Sequence, residues 1–230
     1  MLFLGLESGS SKIQKDINKN LNINKIFPIL EATCRYNMKV TLSFLFGFPE
    51  ETHEDLAKTL SVMHQIKRHG LMLMKGKTLV DTFITALVYF SSTELTERTI
   101  EQLVYDPTHF DKANQPVSIP LDVKELIQQN KLIFPQYFNL PKMIDYKYKF
   151  LSTFINGMFS NLYDKEYKII DKVIAYYSDD ILKMYEYIYE HSSQEIERIY
   201  RISDEISAEK EVETTILHLI KKSLQVGDDI

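Results

Sequence analysis

The chain has a single cysteine, Cys34, among 230 residues. One thiol excludes an intramolecular disulfide, and with it the small secreted scaffolds that depend on such bonds. No apolar run approaches the roughly 20 residues needed to span a bilayer. The apolar start, residues 1–6, lacks a basic lead and breaks at Glu7, so it does not read as a signal peptide. Dense Lys/Arg blocks are missing as well. With a formal net charge of -5, no broad footprint for nucleic acid is expected. The six histidines form no metal box, because His53, His64 and His69 miss the i, i+4 spacing of a helical zinc pair. Nothing repeats at a fixed period. These absences leave a cytoplasmic protein, with neither membrane nor nucleic acid as partner, as the default expectation.

What is present is ordinary for a folded domain. Hydrophobic residues make up 44% and charged residues 26%, enough at this length for one sizeable domain or two small ones. Residues 1–6 (MLFLGL) are a short apolar run closed at once by ESGS, the pattern of a strand buried on both faces. Ser10 caps a helix to about residue 18, and Asn22 or Asn24 caps a second one bearing Ile26, Leu30 and Cys34 on one face. Residues 40–48 (VTLSFLFGF) are β-branched and aromatic, a second strand ended by Pro49. Thr52 and Asp55 fit a capping box, with Asp in the usual Glu/Gln place, for a helix to about His69 with Gly70 as its C′ residue. Residues 79–90 predict a third strand and 93–104 a short helix.

Strands alternating with helices of this length imply a parallel sheet with right-handed crossovers. Residues 105–120, with three prolines, read as a linker, 121–134 as a helix, and 142–226 as a long Tyr- and Ile-rich helical stretch. Its apolar residues at helical spacing, such as Ile181, Tyr185, Ile188, Ile196 and Ile199, are expected in a core rather than in a partner groove. The expected division is therefore 1–104, a linker at 105–120, and a helical region at 121–230. A chain that starts inside a buried strand leaves long unpaired edges, so it is expected to be a fragment or to be completed by a partner.

Ligands of parallel α/β folds bind where strand C-termini and helix N-termini converge. Glu7, residues 47–50 and residues 91–93 all fall on that rim. A plain structural explanation stands beside this one: Glu51, Glu54 and Asp55 complement the dipole of a helix start, and Gly47 serves close packing.

Taken together, GLESGS at residues 5–10 and FLFGFPEET at residues 44–52, followed by EDL and Thr59, resemble the second half of the radical S-adenosylmethionine fold. The resemblance implies an α/β architecture: the last three βα units of a partial (β/α)6 TIM-like barrel, followed by a mostly α-helical C-terminal region. It implies that Glu7, with Ser8 and Ser10 beside it, holds the ribose or amino-acid part of S-adenosylmethionine. The family's Gly-x-Ile-x-Gly-x-x-Glu places are filled by Ser43, Leu45, Gly47 and Glu50, and the backbone of Leu45 would bracket adenine. At the third strand Thr93 and Leu95 fit the family's turn, while its proline and glycine are absent. The cofactor-binding set implied is Glu7, Ser8, Ser10, Leu45, Gly47 and Glu50.

The Cys-x3-Cys-x2-Cys motif that ligates the family's [4Fe–4S] cluster is missing, and Cys34 cannot replace it. The cluster is therefore implied only for a complete enzyme, and the isolated chain is expected to be inactive. Residues 130–141 (NKLIFPQYFNLP) resemble a segment of relatives that carry an N-terminal cobalamin domain, which makes cobalamin an implied cofactor of the complete enzyme. Three readings stay open: an enzyme fragment, a non-catalytic remnant or interaction protein, and one half of a two-chain enzyme whose partner carries the cluster. The substrate is not implied.

Overall fold

Three apolar runs become a parallel sheet. A computed structural model describes residues 1–74, 79–106, 120–203 and 206–225. Strands β1 (Leu2–Glu7), β2 (Val40–Phe46) and β3 (Val80–Ala86) pair in the order β1-β2-β3, all parallel. The crossovers are α1 (Ser11–Asp16) and α2 (Ile26–Arg35) between the first two strands, and α3 (His53–Leu73) between the second and third. Helix α4 (Glu94–Thr99) follows β3.

One face of this sheet is dry. Val40, Leu42 and Phe44 of β2, with Thr82 and Ile84 of β3, are wholly buried. The opposite face is only partly covered: Leu45 and Phe83 are half-buried, and Phe3 is 56% exposed while touching Phe83. The expectation of burial on both faces therefore fails for β1, because an apolar run records hydrophobicity but not what lies above it.

The two edges of the sheet also differ. Along β3, Asn156 accepts from Ile84 N–H at 2.8 Å and donates to Ile84 C=O at 2.9 Å, and Ser160 donates to Thr82 C=O at 3.0 Å. These side chains finish the strand's backbone pairing, one way of covering an edge. Along β1 lies an apolar groove of about 340 Å³, lined by Leu4, Leu6, Leu21, Ile23, Ile26 and Ile29.

Several boundaries shift from their predicted positions. Strand β2 ends at Phe46, where Gly47 turns the chain with φ 91°. Helix α3 continues through Gly70 to Leu73, because Leu71 is buried and holds one more turn against the core. Gly70 is thus an interior residue and not a cap. Of the predicted linker, 107–119 lie outside the described residues, while β4 (Val104–Tyr105) pairs antiparallel with β5 (Phe138–Asn139). Helix α5 (Leu121–Gln129) stops five residues short of its predicted end in a turn at Asn130.

The remainder is helical: α6 (Pro141–Ile144), α7 (Tyr146–Asn156), α8 (Tyr163–Tyr176), α9 (Ile181–Ile202) and α10 (Glu209–Gln225). Ile181, Tyr185, Ile188, Ile196 and Ile199 are buried, as their spacing predicted, in one core continuous with that of the sheet. A polar tie crosses this junction. Asp171 of α8 accepts from Tyr163 at 2.6 Å and bonds His64 of α3 at 2.7 Å. Burial works against the Asp171 carboxylate, yet these bonds hold its pKa below the ordinary value.

Candidate functional site

The turn after β1 is shaped by a bulge between Gly5 and Glu7, and Glu7 itself is left-handed, with φ 60°. Non-glycine residues are uncommon in that region, which Ser92 and Ser178 of this chain also occupy. A side chain on Gly5 would place its Cβ 2.5 Å from Glu7 Oε1. Glycine therefore lets the Glu7 carboxylate fold back, where it pairs with Lys19. Lys19 lies between Asn18 and Asn20, both left-handed with φ 57° and 48°.

The two serines point elsewhere. Ser8 Oγ and Thr59 Oγ1 share a hydrogen bond of 3.0 Å, the Gly9 N–H donates to Thr59 Oγ1 at 3.0 Å, and Ser10 Oγ donates to Asp55 Oδ1 at 2.6 Å. Ser10 also caps α1 by accepting from the Ile13 N–H. Gln14, buried, donates to the carbonyls of Leu6 and Ser8. The turn is thus bolted onto the first turns of α3. Burial alone would raise the Asp55 carboxyl; donors from Ser10, Thr52 and Lys12 outweigh it and hold the pKa well below the carboxylate range.

The turn after β2 is built differently. The Gly47 N–H donates to Glu51 Oε2 at 2.6 Å, and Met143 packs where a Gly47 side chain would stand, its sulfur 2.8 Å from that position. Glu51 Oε1 is buried without a hydrogen-bond partner among the described residues. Burial pushes the Glu51 carboxyl up to about 7 against the lowering effects of the Gly47 N–H and Lys142. Glu50 is exposed; its backbone carbonyl accepts from Lys12, and its carboxylate interacts electrostatically with Lys142.

Beside both turns, at the C-terminal rim of the sheet, is a cavity of about 390 Å³, within the size range of small-molecule sites. Glu7 and Leu45, one from each motif, line it together with Lys19, Phe48, Leu95 and Arg98. Of the expected site residues, the structure brings Glu7 and Leu45 to one cavity. Ser8 and Ser10 do not line it but brace Glu7's turn, Gly47 shapes the neighbouring turn, and Glu50 lies outside. Lys19 and Arg98 are additions that the sequence did not single out. The flanking asparagines, suited to left-handed turns, and the helical spacing of Glu94, Leu95 and Arg98 were the available signals. The cavity joins apolar walls to three carboxylates, Glu7, Asp16 and Glu94, and two cations, Lys19 and Arg98, a lining suited to a polar ligand with charges of both signs.

No group of three or more His, Cys, Asp or Glu able to hold a metal occurs among the described residues. Cys34 is buried in α2 and burial pushes its thiol up, away from the thiolate a cluster needs. The residues of this chain do not fit an iron–sulfur cluster.

No protein-family model matches the chain. A tRNA-2-methylthio-N(6)-dimethylallyladenosine synthase of Thermodesulfovibrio yellowstonii is 30% identical over 79 residues, covering 32% of this chain and 18% of that enzyme. The enzyme of the same name from Rickettsia prowazekii is 35% identical over 68 residues, covering 29% and 15%. Methylthiolation is one of the reactions of the superfamily that the two motifs resemble. The likeness is to radical S-adenosylmethionine enzymes. An uncharacterized protein of Methanocaldococcus jannaschii is also similar, at 26% over 68 residues. The chain spans less than a fifth of the length of these curated relatives. Nothing in the relatives' names points to cobalamin, and no described helix is long and apolar enough to cross a membrane.

Proposed function

We propose that this chain forms the S-adenosylmethionine-binding side of a radical S-adenosylmethionine enzyme, as the last three βα units of a partial barrel. The observation that carries the reading is the meeting of Glu7 and Leu45, from separate motifs, in one rim cavity. Glu7 accepts from the ribose hydroxyls or the amino group of the ligand, and the Leu45 backbone faces adenine. Lys19 and Arg98 balance the ligand's carboxylate, and Phe48 supplies an apolar wall. The cluster that reductively cleaves S-adenosylmethionine in this superfamily would be held by cysteines from outside this chain.

The asymmetry of the sheet supports a partner on one side only. The β3 edge is finished by Asn156 and Ser160, whereas β1 offers an apolar groove and a half-open inner face. The cluster-bearing strands, whether from a longer form of the protein or a separate chain, pair with β1. Two of the relatives named above carry the name of a synthase of a modified tRNA nucleoside; with a net charge of -5, recognition of any such substrate falls to other parts of the enzyme.

Calorimetry with S-adenosylmethionine tests the site. The isolated chain is expected to bind weakly, because the cluster's contact with the methionine end is missing, and Glu7→Ala is expected to abolish that binding. Binding that survives both Glu7→Ala and substitution of Lys19 would place the ligand elsewhere and overturn the reading.

A further inference from the structure

The turn after β2 has an unusual set of backbone partners. The carbonyls of four consecutive residues, 48–51, all accept from lysine ammonium groups. Lys12 of α1 takes Glu50 C=O at 2.5 Å. Lys142 of α6 takes Phe48 C=O at 3.0 Å, Pro49 C=O at 3.4 Å and Glu51 C=O at 3.0 Å. Such convergent carbonyls carry partial negative charge and need donors. Pro49 has no N–H, the Glu51 N–H turns back to Phe48 C=O, and the Gly47 N–H is taken by the Glu51 carboxylate. The turn's own amides therefore leave most of this charge unanswered, and the ammonium of Lys142 answers it from 94 residues away.

The position matters because Phe48 both supplies an accepting carbonyl to this cage and lines the rim cavity, while being only 4% exposed. Moving its carbonyl moves its ring. Packing and charge are also separable here, since Met143 supplies the apolar contact on Gly47 and Lys142 supplies the cation. We propose that Lys142 is a positioning residue for the cavity: a tethered cation that fixes the 48–51 turn, and with it the Phe48 wall, so that the helical region governs ligand affinity without touching the ligand. The choice of S-adenosylmethionine as probe rests on the function proposed above; the clamp itself does not.

The test uses the full chain with Lys142→Ala, Lys142→Met and Lys142→Arg, each checked for folding by circular dichroism. S-adenosylmethionine binding is expected to weaken about tenfold or more in the Ala and Met variants and to be largely kept in the Arg variant. Propylammonium replaces the atoms that the Ala substitution removes. At matched ionic strength it is expected to restore binding in Lys142→Ala and to do nothing for Lys142→Met, whose own stem fills the space. Wild-type affinity in both the Ala and Met variants, or a loss in Ala that Met repairs and propylammonium does not, would overturn the proposal in favour of no role or a packing role. If the wild-type chain binds no S-adenosylmethionine, the cofactor reading fails alone, and hydrogen exchange then decides the clamp. Amides of residues 47, 48 and 50–52 should exchange faster in Lys142→Ala and be slowed again by propylammonium; unchanged exchange would sink it.

Discussion

Two turns flank the same cavity, and opposite chemistry holds them in place. The turn after β1 is fastened by hydroxyls and an ionised carboxylate: Ser8 and Gly9 meet Thr59, and Ser10 donates to Asp55. The turn after β2 is fastened by ammonium groups on its carbonyls and by a carboxyl, Glu51, that burial drives toward neutrality. The difference lies in the count of donors. Asp55 receives enough of them to remain charged out of water, whereas one oxygen of Glu51 has none among the described residues. The first turn is thus held by a group whose charge does not change near neutral pH, and the second by one that is poised to respond to it.

Breaking the first turn should have the largest effect. A Cβ on Gly9 would lie 2.8 Å from Lys58 O and 2.9 Å from Thr59 Cα, backbone atoms of α3 that cannot swing aside. Gly9→Ala must therefore lift the turn off the helix and stretch the Thr59 and Asp55 bonds together. The expected loss is on the order of 3 kcal/mol, measured by urea denaturation. A loss near zero would mean that the turn is held by something other than its contact with α3.

The second turn should yield a smaller and pH-dependent change. The Glu51 carboxyl is raised from 4.5 to about 7. A raised carboxyl contributes stability that is full below 4.5 and is lost as the pH climbs through about 7, where folding must bury the charge. Asp55 runs the other way: its contribution is full above its ordinary 3.8 and is lost only as the pH falls below that. Glu51→Gln keeps an acceptor for the Gly47 N–H and removes the charge. The variant should match wild type at pH 4 and exceed it at pH 8 by roughly 2–3 kcal/mol. The stability difference between the two proteins, followed from pH 4 to pH 8, isolates this group from the other carboxylates. A difference that stays flat across the range would show that folding leaves the Glu51 carboxyl unshifted.

These turns also differ in how far the sequence discloses them. The anchors of the first turn are legible piece by piece: Ser10 follows its strand where an N-cap should stand, and Asp55 has capping-box spacing from Thr52, with the reciprocal bonds present, although their union across 45 residues is not written in either segment. The parallel sheet was legible for the same reason, since apolar runs and helix-length connections leave few arrangements. The second turn depends on Lys142 and Met143, which no pattern near residues 44–52 announces. Lys19 and Arg98 were hidden similarly, because a lone cation in a loop or on a short helix looks like any solvated charge. Gly70 misled for a different reason. A glycine late in a helical pattern suits a C′ position, and only the burial of Leu71 shows that the helix goes on.

The smallest effect should come from the residue that the motif spacing favoured. Glu50 stands third after Gly47, where the resemblance puts the acid, yet its side chain is exposed and lies outside the cavity. Its neighbour Glu51 carries the bond to the Gly47 N–H. What the structure uses at position 50 is the carbonyl, which Lys12 reaches and which any residue would supply. Glu50→Ala should therefore change stability by no more than about 0.5 kcal/mol and leave S-adenosylmethionine binding as it is in wild type, while Glu51→Gln alters the pH profile. Denaturation and calorimetry on both variants would separate the neighbours. A clear loss of binding in Glu50→Ala would return the motif's acid to position 50 and place the ligand nearer the outer face of the turn than Glu7 and Leu45 suggest.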